Sequence, residues 1–283
     1  MKKGLILEGG AMRGMFTAGV IDVMMEQDIV FDGAIGVSAG AVFGCNYKSH
    51  QIGRSLRYNT KFCKDPRYAS FRSLLTTGDL YGADFCYNEI PNKLDPFDLE
   101  TYRNSPMEFY VVCTDVETGK PVYQKCMTGD AHDILWMRAS ASMPLVSRIV
   151  EVDGYKLLDG GISDSIPIRQ FQKLGYDRNI IVLTQPLDYV KPKNQMVPLL
   201  RIMMRKYRNL VRTMRFRHDI YNATTAYIRK LEQKGRVLVI RPEAPLNIAR
   251  VEHDPKELTR VYQLGRSVAE KRLEEMQAFL AAK

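Results

Sequence analysis

Two short apolar segments near the N-terminus each run directly into a glycine-containing turn and then into a helical pattern. The first, "GLILE" (residues 4–8), leads through "GGAMRG" into residues 15–25, where apolar positions recur at helical spacing. The second, "AIGV" (residues 34–37), leads through a serine into "AGAVFGCNY". Because strand, turn and helix follow one another twice, the pattern predicts neighbouring strands with helices packed on the sheet.

Six further apolar segments extend this pattern, and Asp153-Gly154 between two of them is typical of a two-residue hairpin. The segments are residues 108–116, 121–125, 148–152, 155–159, 179–185 and 236–242. We therefore expect an α/β fold with three layers, α/β/α, around a mixed, largely parallel central sheet. In such sheets, ligands bind at the carboxyl ends of the strands.

Charge divides the chain unevenly. Residues 1–190 hold 20 Lys/Arg and 23 Asp/Glu, whereas residues 191–283 hold 21 Lys/Arg and 9 Asp/Glu. Residues 189–198 contain two prolines without periodicity, which predicts a linker. The expected organisation is a catalytic domain over residues 1–190, with a basic, mostly helical extension over residues 191–283 packed on it.

The cysteines and the apolar runs predict the location of the protein. Five cysteines are widely spaced without a CxxC pair, as is typical of reduced thiols in the cytoplasm. The apolar run at the N-terminus is too short for the core of a signal peptide, and no run approaches the roughly 20 residues of a membrane-spanning helix. We expect a cytoplasmic protein, soluble or peripheral at the membrane.

The turn after the second predicted strand has the pattern G-x-S-x-G, in "GVSAG". Between a strand and a helix, this pattern exposes a serine hydroxyl on a tight turn, here that of Ser38, and the flanking Gly36 and Gly40 relieve crowding there. The alternative is a serine that caps the N-terminus of a helix.

Two interpretations compete for the opening loop, which contains Gly9, Gly10 and Gly14. A glycine-rich turn before a helix is typical of a pyrophosphate site, but the dinucleotide fingerprint requires glycine at Ala11 and an acid after the second strand. The nearest acid, Asp32, precedes that strand. In the second interpretation, backbone N–H groups of this loop form an oxyanion hole for a carbonyl that the serine attacks.

A serine nucleophile needs a base, and the histidines are poor candidates. Their positions favour surface or helix-end roles: His50, His132, His218 and His253. An acidic base is the alternative. Asp159 ends a predicted strand and is followed by Gly160 and Gly161, although an aspartate in a turn would also explain this segment.

"GGAMRG", "GVSAG" and "DGG", in this order at strand ends, resemble the motifs of the patatin-like phospholipases. The segment over residues 138–161 is also similar to the stretch that precedes the family's aspartate, and the resemblance covers about residues 4–185. It implies a lipid acyl hydrolase of phospholipase A or lysophospholipase type, with Ser38 as nucleophile, Asp159 as base, and no metal or cofactor. The implied oxyanion donors are the N–H groups of Gly10, Ala11 and Ala39.

One residue departs from the family pattern, because Ala11 stands where these enzymes usually have glycine. Alanine supplies the same N–H group but resists a positive φ. Arg13 in the same loop is a candidate for attracting an anionic headgroup or for bracing the loop. Two other functions stay open: a noncatalytic lipid- or partner-binding module, and a nucleotide-binding protein.

The segment over residues 199–217 holds seven basic residues and no acid. As one helix, it would carry an apolar stripe of Leu200, Met203, Tyr207, Leu210 and Met214 beside a stripe of Arg201, Arg205, Arg208, Arg212 and Arg215. The pattern indicates contact with an anionic membrane surface; the alternative is an apolar stripe packed on the domain under solvated arginines. Nucleic acid is not an expected partner, since the segment has few aromatics and no recognition motif.

Overall fold

The sheet at the centre of the molecule has eight strands within residues 1–282, the part of the chain that this computed structural model describes. The strands are β1 (Lys2–Leu7), β2 (Gly33–Val37), β3 (Glu108–Asp115), β4 (Pro121–Lys125), β5 (Val150–Val152), β6 (Tyr155–Asp159), β7 (Tyr176–Val182) and β8 (Val237–Ile240). Their order is β5-β6-β3-β2-β1-β7-β8, and β4 pairs with β3 beside this path. Each strand overlaps one of the predicted strands.

Parallel pairing joins five neighbouring strands, from β3 through β2, β1 and β7 to β8. The remaining strands, β4, β5 and β6, pair antiparallel. The predicted mixed, largely parallel sheet is therefore confirmed. Leu7 lies opposite Gly36, so the turns after β1 and β2 open side by side. Asp159 pairs with Cys113 of β3, which brings the end of β6 to the same edge of the sheet.

Helices cover both faces of the sheet, as expected. They are α1 (Gly14–Glu26), α2 (Ala39–Lys48), α3 (Arg54–Phe62), α4 (Phe71–Thr77), α5 (Leu99–Asn104), α6 (Ala131–Ser140), α7 (Ile168–Lys173), α8 (Val197–Met203), α9 (Arg208–Gln233), α10 (Pro255–Lys271) and α11 (Leu273–Ala281). A π-helical segment spans Phe85–Leu94, and single 3₁₀ turns span Ala11–Arg13 and Gly160–Ile162. Helices α1, α2, α6 and α10 pack on one face, and α7 and α9 pack on the other.

Alternating side chains of the strands divide the core into two layers. On β1, Leu5 and Leu7 enter the layer under α1 and α10, whereas Ile6 enters the layer under α7 and α9. On β7, Ile180 and Ile181 separate in the same way. Strands buried on both faces read as continuous apolar runs, which is why these segments were recognisable in the sequence.

The C-terminal region is joined to the central sheet. Strand β8 pairs with β7, and α10 packs closely on α1. A Cβ added at Gly19 would lie 2.1 Å from the carbonyl oxygen of Tyr262, so only glycine permits this approach of the two helices. The sheet thus continues beyond the predicted boundary at residue 190.

The basic segment over residues 199–217 is not one helix, which corrects the sequence prediction. Helix α8 ends at Met203 and α9 begins at Arg208. In a straight helix, Leu200 and Met214 would lie about 21 Å apart along the axis. The turn between the helices instead lets both residues pack in one cluster with Leu158. No helix within residues 1–282 has the length and apolar character needed to cross a membrane.

Candidate active site

Ser38 lies on a strained turn between β2 and α2. Its φ of 55° and ψ of −123° are unusual for a residue with a side chain. A Cβ at Gly36 would lie 2.4 Å from the carbonyl oxygen of Gly40, and one at Gly40 would lie 2.4 Å from that of Leu7. Glycine at both positions is therefore a steric requirement of the turn.

A buried serine that the sequence analysis did not identify holds this turn. The Ser140 hydroxyl accepts a hydrogen bond from the Ser38 N–H group at 2.9 Å and donates one to the carbonyl oxygen of Val112 at 2.6 Å. Because Ser140 belongs to α6 and Val112 to β3, these bonds tie the turn to two other elements. The Ser38 backbone is thus fixed from outside its own segment.

Asp159 is buried at the end of β6, and several groups hold it in place. Its carboxylate accepts a hydrogen bond from the Gly161 N–H group at 2.7 Å, and its carbonyl oxygen accepts one from the Thr114 hydroxyl at 2.8 Å. A Cβ at Gly160 would lie 2.1 Å from the carbonyl oxygen of Val112. The two glycines after Asp159 therefore allow the chain to turn tightly against β3.

The environment of Asp159 tunes its acidity in two directions. Burial raises the pKa of the carboxyl above its ordinary value of 3.8, because desolvation disfavours the charged form. The nearby Ser38 hydroxyl, the Arg217 guanidinium and the Gly161 N–H group each lower the pKa of Asp159. Ser38 and Asp159, predicted from separate motifs, are therefore neighbours in the fold.

The opening loop presents unoccupied backbone N–H groups near Ser38. Within residues 1–282, no hydrogen bond occupies the N–H groups of Gly10, Ala11 and Ala39. Ala11 has a φ of 50°, so this alanine adopts the left-handed conformation that glycine adopts without strain. Close packing joins the two loops, because a Cβ at Gly9 would lie 2.9 Å from that of Ser38, and one at Gly14 2.8 Å from that of Ala39.

Glu8, at the start of this loop, is buried and fully engaged. It accepts hydrogen bonds from the Thr184 N–H group at 2.6 Å and from the Tyr221 hydroxyl at 2.7 Å. The Thr184 hydroxyl adds a bond to Glu8 at 3.2 Å. These contacts link the loop after β1 to the segment after β7 and to helix α9.

Cationic side chains surround this side of the site. The Arg217 guanidinium of α9 donates from Nε to the carbonyl oxygen of Gly161. Arg13 forms no ion pair within the described chain, and its Nε is buried without a hydrogen-bond partner. Lys191 Nζ lies 4.2 Å from the ring centroid of Tyr221. Desolvation, followed by the charge of Arg217, lowers the pKa of Lys191 to about 8.

A narrow, mainly apolar cavity of about 130 Å³ opens at Ser38. Ala11 and Ala39 contribute to its wall beside the serine, and the segment over residues 54–97 covers it. The apolar lining includes Phe43, Tyr58, Tyr81, Tyr87, Ile90 and Met137. The cavity can take an apolar chain whose polar end stays at Ser38.

Three of the histidines have contacts that involve neither Ser38 nor Asp159. His132 hydrogen-bonds Asp153 at 2.9 Å, His253 contacts the carbonyl oxygen of Cys63, and His218 lies 3.3 Å from Asp219. No histidine in the described part of the chain is hydrogen-bonded to Ser38 or Asp159. Asp32 accepts a hydrogen bond from the Lys3 N–H group at 2.6 Å, at the amino ends of β1 and β2. This acid is at the opposite edge of the sheet from the glycine-rich loop, unlike the acid of a dinucleotide site.

Five of the six arginines of the basic segment surround one groove between α8 and α9. All five are exposed, and none forms an ion pair within residues 1–282: Arg201, Arg205, Arg208, Arg212 and Arg215. Of the predicted apolar stripe, Leu200, Leu210 and Met214 pack on the domain. Met203 of this stripe is instead exposed by 60%, and its neighbour Ile202, which is outside the stripe, is exposed by 72%.

The described site thus combines a strained serine, a buried aspartate and open backbone amides at the carboxyl ends of the strands of an α/β sheet. The patatin-like phospholipase family matches residues 5–171, and a domain of unknown function, DUF6363, matches residues 207–281. The chain belongs to the patatin-like phospholipase family, which confirms the resemblance and supports a lipid hydrolase in general.

Similar proteins include the uncharacterized protein YjjU of Escherichia coli, 28% identical over 93% of this chain and 74% of that protein. The lysophospholipase nte1 of Aspergillus terreus is 28% identical over 62% of this chain but only 11% of its own length. An uncharacterized NTE family protein of Mycobacterium bovis is 26% identical over 63% of this chain and 48% of that protein. The crystal structure of VipD from Legionella pneumophila aligns with 97% of this chain and 67% of its own, at 13% identity and a TM-score of 0.48.

Proposed function

We propose that this protein is a serine acyl hydrolase that cleaves lipid acyl esters through a Ser38–Asp159 dyad. The observation that carries the proposal is the pairing of the Ser38 side chain with a buried carboxyl at the mouth of an apolar cavity. A buried carboxylate with a raised pKa is a stronger base than a solvated one. The family match supports the same class of reaction.

In the proposed acylation, Ser38 Oγ attacks the ester carbonyl carbon while its proton passes to the Asp159 carboxylate. The carbonyl oxygen becomes an oxyanion, which the N–H groups of Gly10, Ala11 and Ala39 stabilise by hydrogen bonds. When the tetrahedral intermediate collapses, the bond to the leaving oxygen breaks and Asp159 returns the proton to that oxygen. The alcohol leaves, and the acyl group stays on Ser38.

Deacylation repeats these steps with water as the nucleophile. Asp159 accepts a proton from the water as its oxygen attacks the acyl carbon, and the same N–H groups hold the oxyanion. Collapse releases a fatty acid and returns the proton to Ser38 Oγ. The chain's own residues supply every proton transfer, so the proposed reaction requires no cofactor.

The cavity indicates an ester with one apolar chain as the substrate. Its aromatic and aliphatic lining favours a fatty acyl chain. Relatives named as lysophospholipases support a substrate of this kind. We therefore infer lysophospholipids and related single-chain esters as the preferred class.

The groove of five arginines supports docking to an anionic membrane surface. Each basic residue near such a surface contributes about 1 kcal/mol, so five contribute up to about 5 kcal/mol before screening. Exposed Leu199, Ile202 and Met203 on α8 lie next to the arginines and are suited to contact the acyl boundary of the lipid.

Release of fatty acid from a panel of lysophospholipids, diacyl phospholipids and monoacylglycerols tests the proposed reaction. The wild type should turn over at least one single-chain ester, whereas Ser38→Ala and Asp159→Asn should each lose about 10³-fold or more in kcat. Circular dichroism should show the same fold for all three proteins. Near-normal turnover by either folded variant would contradict the dyad, and binding without hydrolysis by the wild type would indicate a noncatalytic lipid-binding module.

A further inference from the structure

We propose that the C-terminal helical region completes the hydrolase site, and that Arg217 of α9 is a positioning residue for Asp159 and the turn after it. This inference rests on the proposed dyad. It gives a role to the region matched by a domain of unknown function, which begins at residue 207 and includes all of α9, α10 and α11.

Arg217 and Asp159 bond to the two backbone polar groups of one residue, Gly161. Arg217 Nε donates to the carbonyl oxygen of Gly161, and the N–H group of Gly161 donates to the Asp159 carboxylate at 2.7 Å. A Cβ added at Gly161 would lie 3.0 Å from Asp159 Oδ1 and 3.2 Å from Arg217 Nη2. The guanidinium and the carboxylate therefore flank one glycine, whose missing side chain leaves room for both.

Besides its hydrogen bond to Gly161, Arg217 acts on Asp159 through its positive charge. Arg217 lowers the pKa of Asp159, opposing the rise that burial causes. Desolvation lowers the pKa of Arg217 itself, but an arginine stays protonated at any working pH. Arg217 thus favours the ionised carboxylate that accepts the serine proton near neutral pH.

The same helix face also reaches the opening loop. Tyr221 follows Arg217 by one helical turn, and its hydroxyl donates to Glu8 at the end of β1. Glu8 in turn accepts the Thr184 N–H group. One stretch of α9 therefore contacts both the turn after Asp159 and the start of the proposed oxyanion loop.

Other charged and titratable groups also face Asp159 or Arg217. Burial keeps the pKa of the Cys113 thiol well above its ordinary value, and the pKa of Lys191 is about 8. The remaining neighbours of Arg217 are Glu8, Tyr189 and Arg250. Glu8 is the other carboxyl among these groups, and Thr184 and Tyr221 hold it by hydrogen bonds. An acid-side change upon substitution of Arg217 that persists in a Glu8→Gln background is therefore a specific sign of its effect on Asp159.

The test is the pH dependence of kcat/KM for a soluble, uncharged short-chain ester with Arg217→Gln and Arg217→Lys. In Arg217→Gln, the acid limb should move to higher pH by about 1 pH unit, because the carboxylate loses its cation. Its kcat at pH 7 should fall at least about tenfold while KM changes little, since the ester carries no charge for Arg217 to bind. Arg217→Lys keeps the cation and should return the limb towards its wild-type position.

Lys230→Gln is the matched control, because it removes an exposed cation from the same helix and should leave the pH profile unchanged. A wild-type acid limb and kcat in folded Arg217→Gln would overturn the inference while leaving the dyad intact. If Arg217→Gln fails to fold, Arg217→Lys provides the test. Its kcat should fall about tenfold, because an ammonium group lacks the planar set of donors with which the guanidinium bonds Gly161 while it faces Asp159. A normal kcat of Arg217→Lys would overturn the inference. Full activity of Ser38→Ala would instead contradict the proposed function.

Discussion

Ala11 has a side chain in a backbone conformation that favours glycine, with a φ of 50°. Left-handed backbone costs a residue other than glycine about 1 kcal/mol, which exceeds the entropy that glycine adds to the unfolded chain. Ala11→Gly should therefore raise the free energy of unfolding by up to about 1 kcal/mol, as measured by urea denaturation.

The same variant tests what Ala11 supplies to catalysis. If only its N–H group matters, kcat should change by less than the roughly 100-fold loss that follows removal of an oxyanion donor. A larger loss would show that the methyl group shapes the site.

Ser140 supports Ser38 without facing the cavity. In Ser140→Ala, the buried Ser38 N–H group loses its acceptor, which should cost about 1–3 kcal/mol of stability and lower kcat because the turn is no longer held. Ser49→Ala is the matched control, since Ser49 is equally buried and hydrogen-bonded but contacts α2 and Gln51. Equal kcat values for the two variants would show that Ser140 does not support the catalytic position of Ser38.

The raised pKa of Asp159 sets the sign of two pH effects. As a base, the carboxyl must be ionised, so kcat/KM should fall on acidification with an apparent pKa above 3.8. The folded pKa also exceeds the unfolded one, so stability is lost as pH rises through the folded value. Asp159→Asn should therefore unfold at an equal or higher temperature than wild type at pH 7, in calorimetry. A large drop in its unfolding temperature would assign the carboxylate a stabilising role instead.

At the scale of elements, α8 and α9 form the proposed membrane-docking surface. Replacing Arg201, Arg205, Arg208 and Arg212 by glutamine should lower sedimentation with vesicles containing anionic lipid at least tenfold, because four favourable charges are lost. Salt should weaken wild-type binding in the same direction. Ile202→Asn tests the apolar contact separately and should reduce binding at high salt, where charge contributes least.

A control with the same change in net charge separates this surface from general attraction. In this control variant, glutamine is introduced at four exposed lysines outside the groove: Lys64, Lys93, Lys173 and Lys234. This variant should sediment like wild type. Equal sedimentation of both fourfold variants at low salt would show that the groove is not the membrane-docking surface.

The sequence predicted the strands better than the basic segment, for a physical reason. Strands such as β4 and β7 are compact apolar or alternating runs whose burial depends on local pattern. The break between α8 and α9 depends instead on the cluster around Leu158, which residues distant in the chain assemble. Helical periodicity over residues 199–217 carries no sign of that partner.

The residues of the site also divide into those that a local sequence pattern indicates and those that depend on contacts between distant segments. Ser38 and Asp159 lie in motifs whose glycines have steric reasons visible in the sequence, so both could be proposed from it. Arg217, Glu8 and Ser140 act through contacts between distant segments, and no local pattern distinguishes them from other arginines, acids and serines. Net charge did mark the C-terminal region as basic, which was a coarse signal for Arg217.

At the scale of the whole molecule, the C-terminal region is part of the fold as well as of the site. Removing residues 207–283 would expose the edge of β7 and the face of α1 that packs on α10. Residues 1–206 should therefore show no cooperative thermal transition and no ester hydrolysis. A cooperative transition near the wild-type temperature would mean that the first 206 residues form an independent domain.

Covalent modification of Ser38 tests the central claim most directly, because only an activated serine reacts quickly with a fluorophosphonate. Intact mass and peptide mapping should show a single phosphonyl adduct on Ser38 in the wild type, with loss of ester hydrolysis in proportion to labelling. Ser38→Ala should remain unlabelled, and Asp159→Asn should react at least about 100-fold more slowly because its serine lacks a base. An unmodified Ser38 in folded protein, or an adduct on another residue that accounts for the lost activity, would contradict the account.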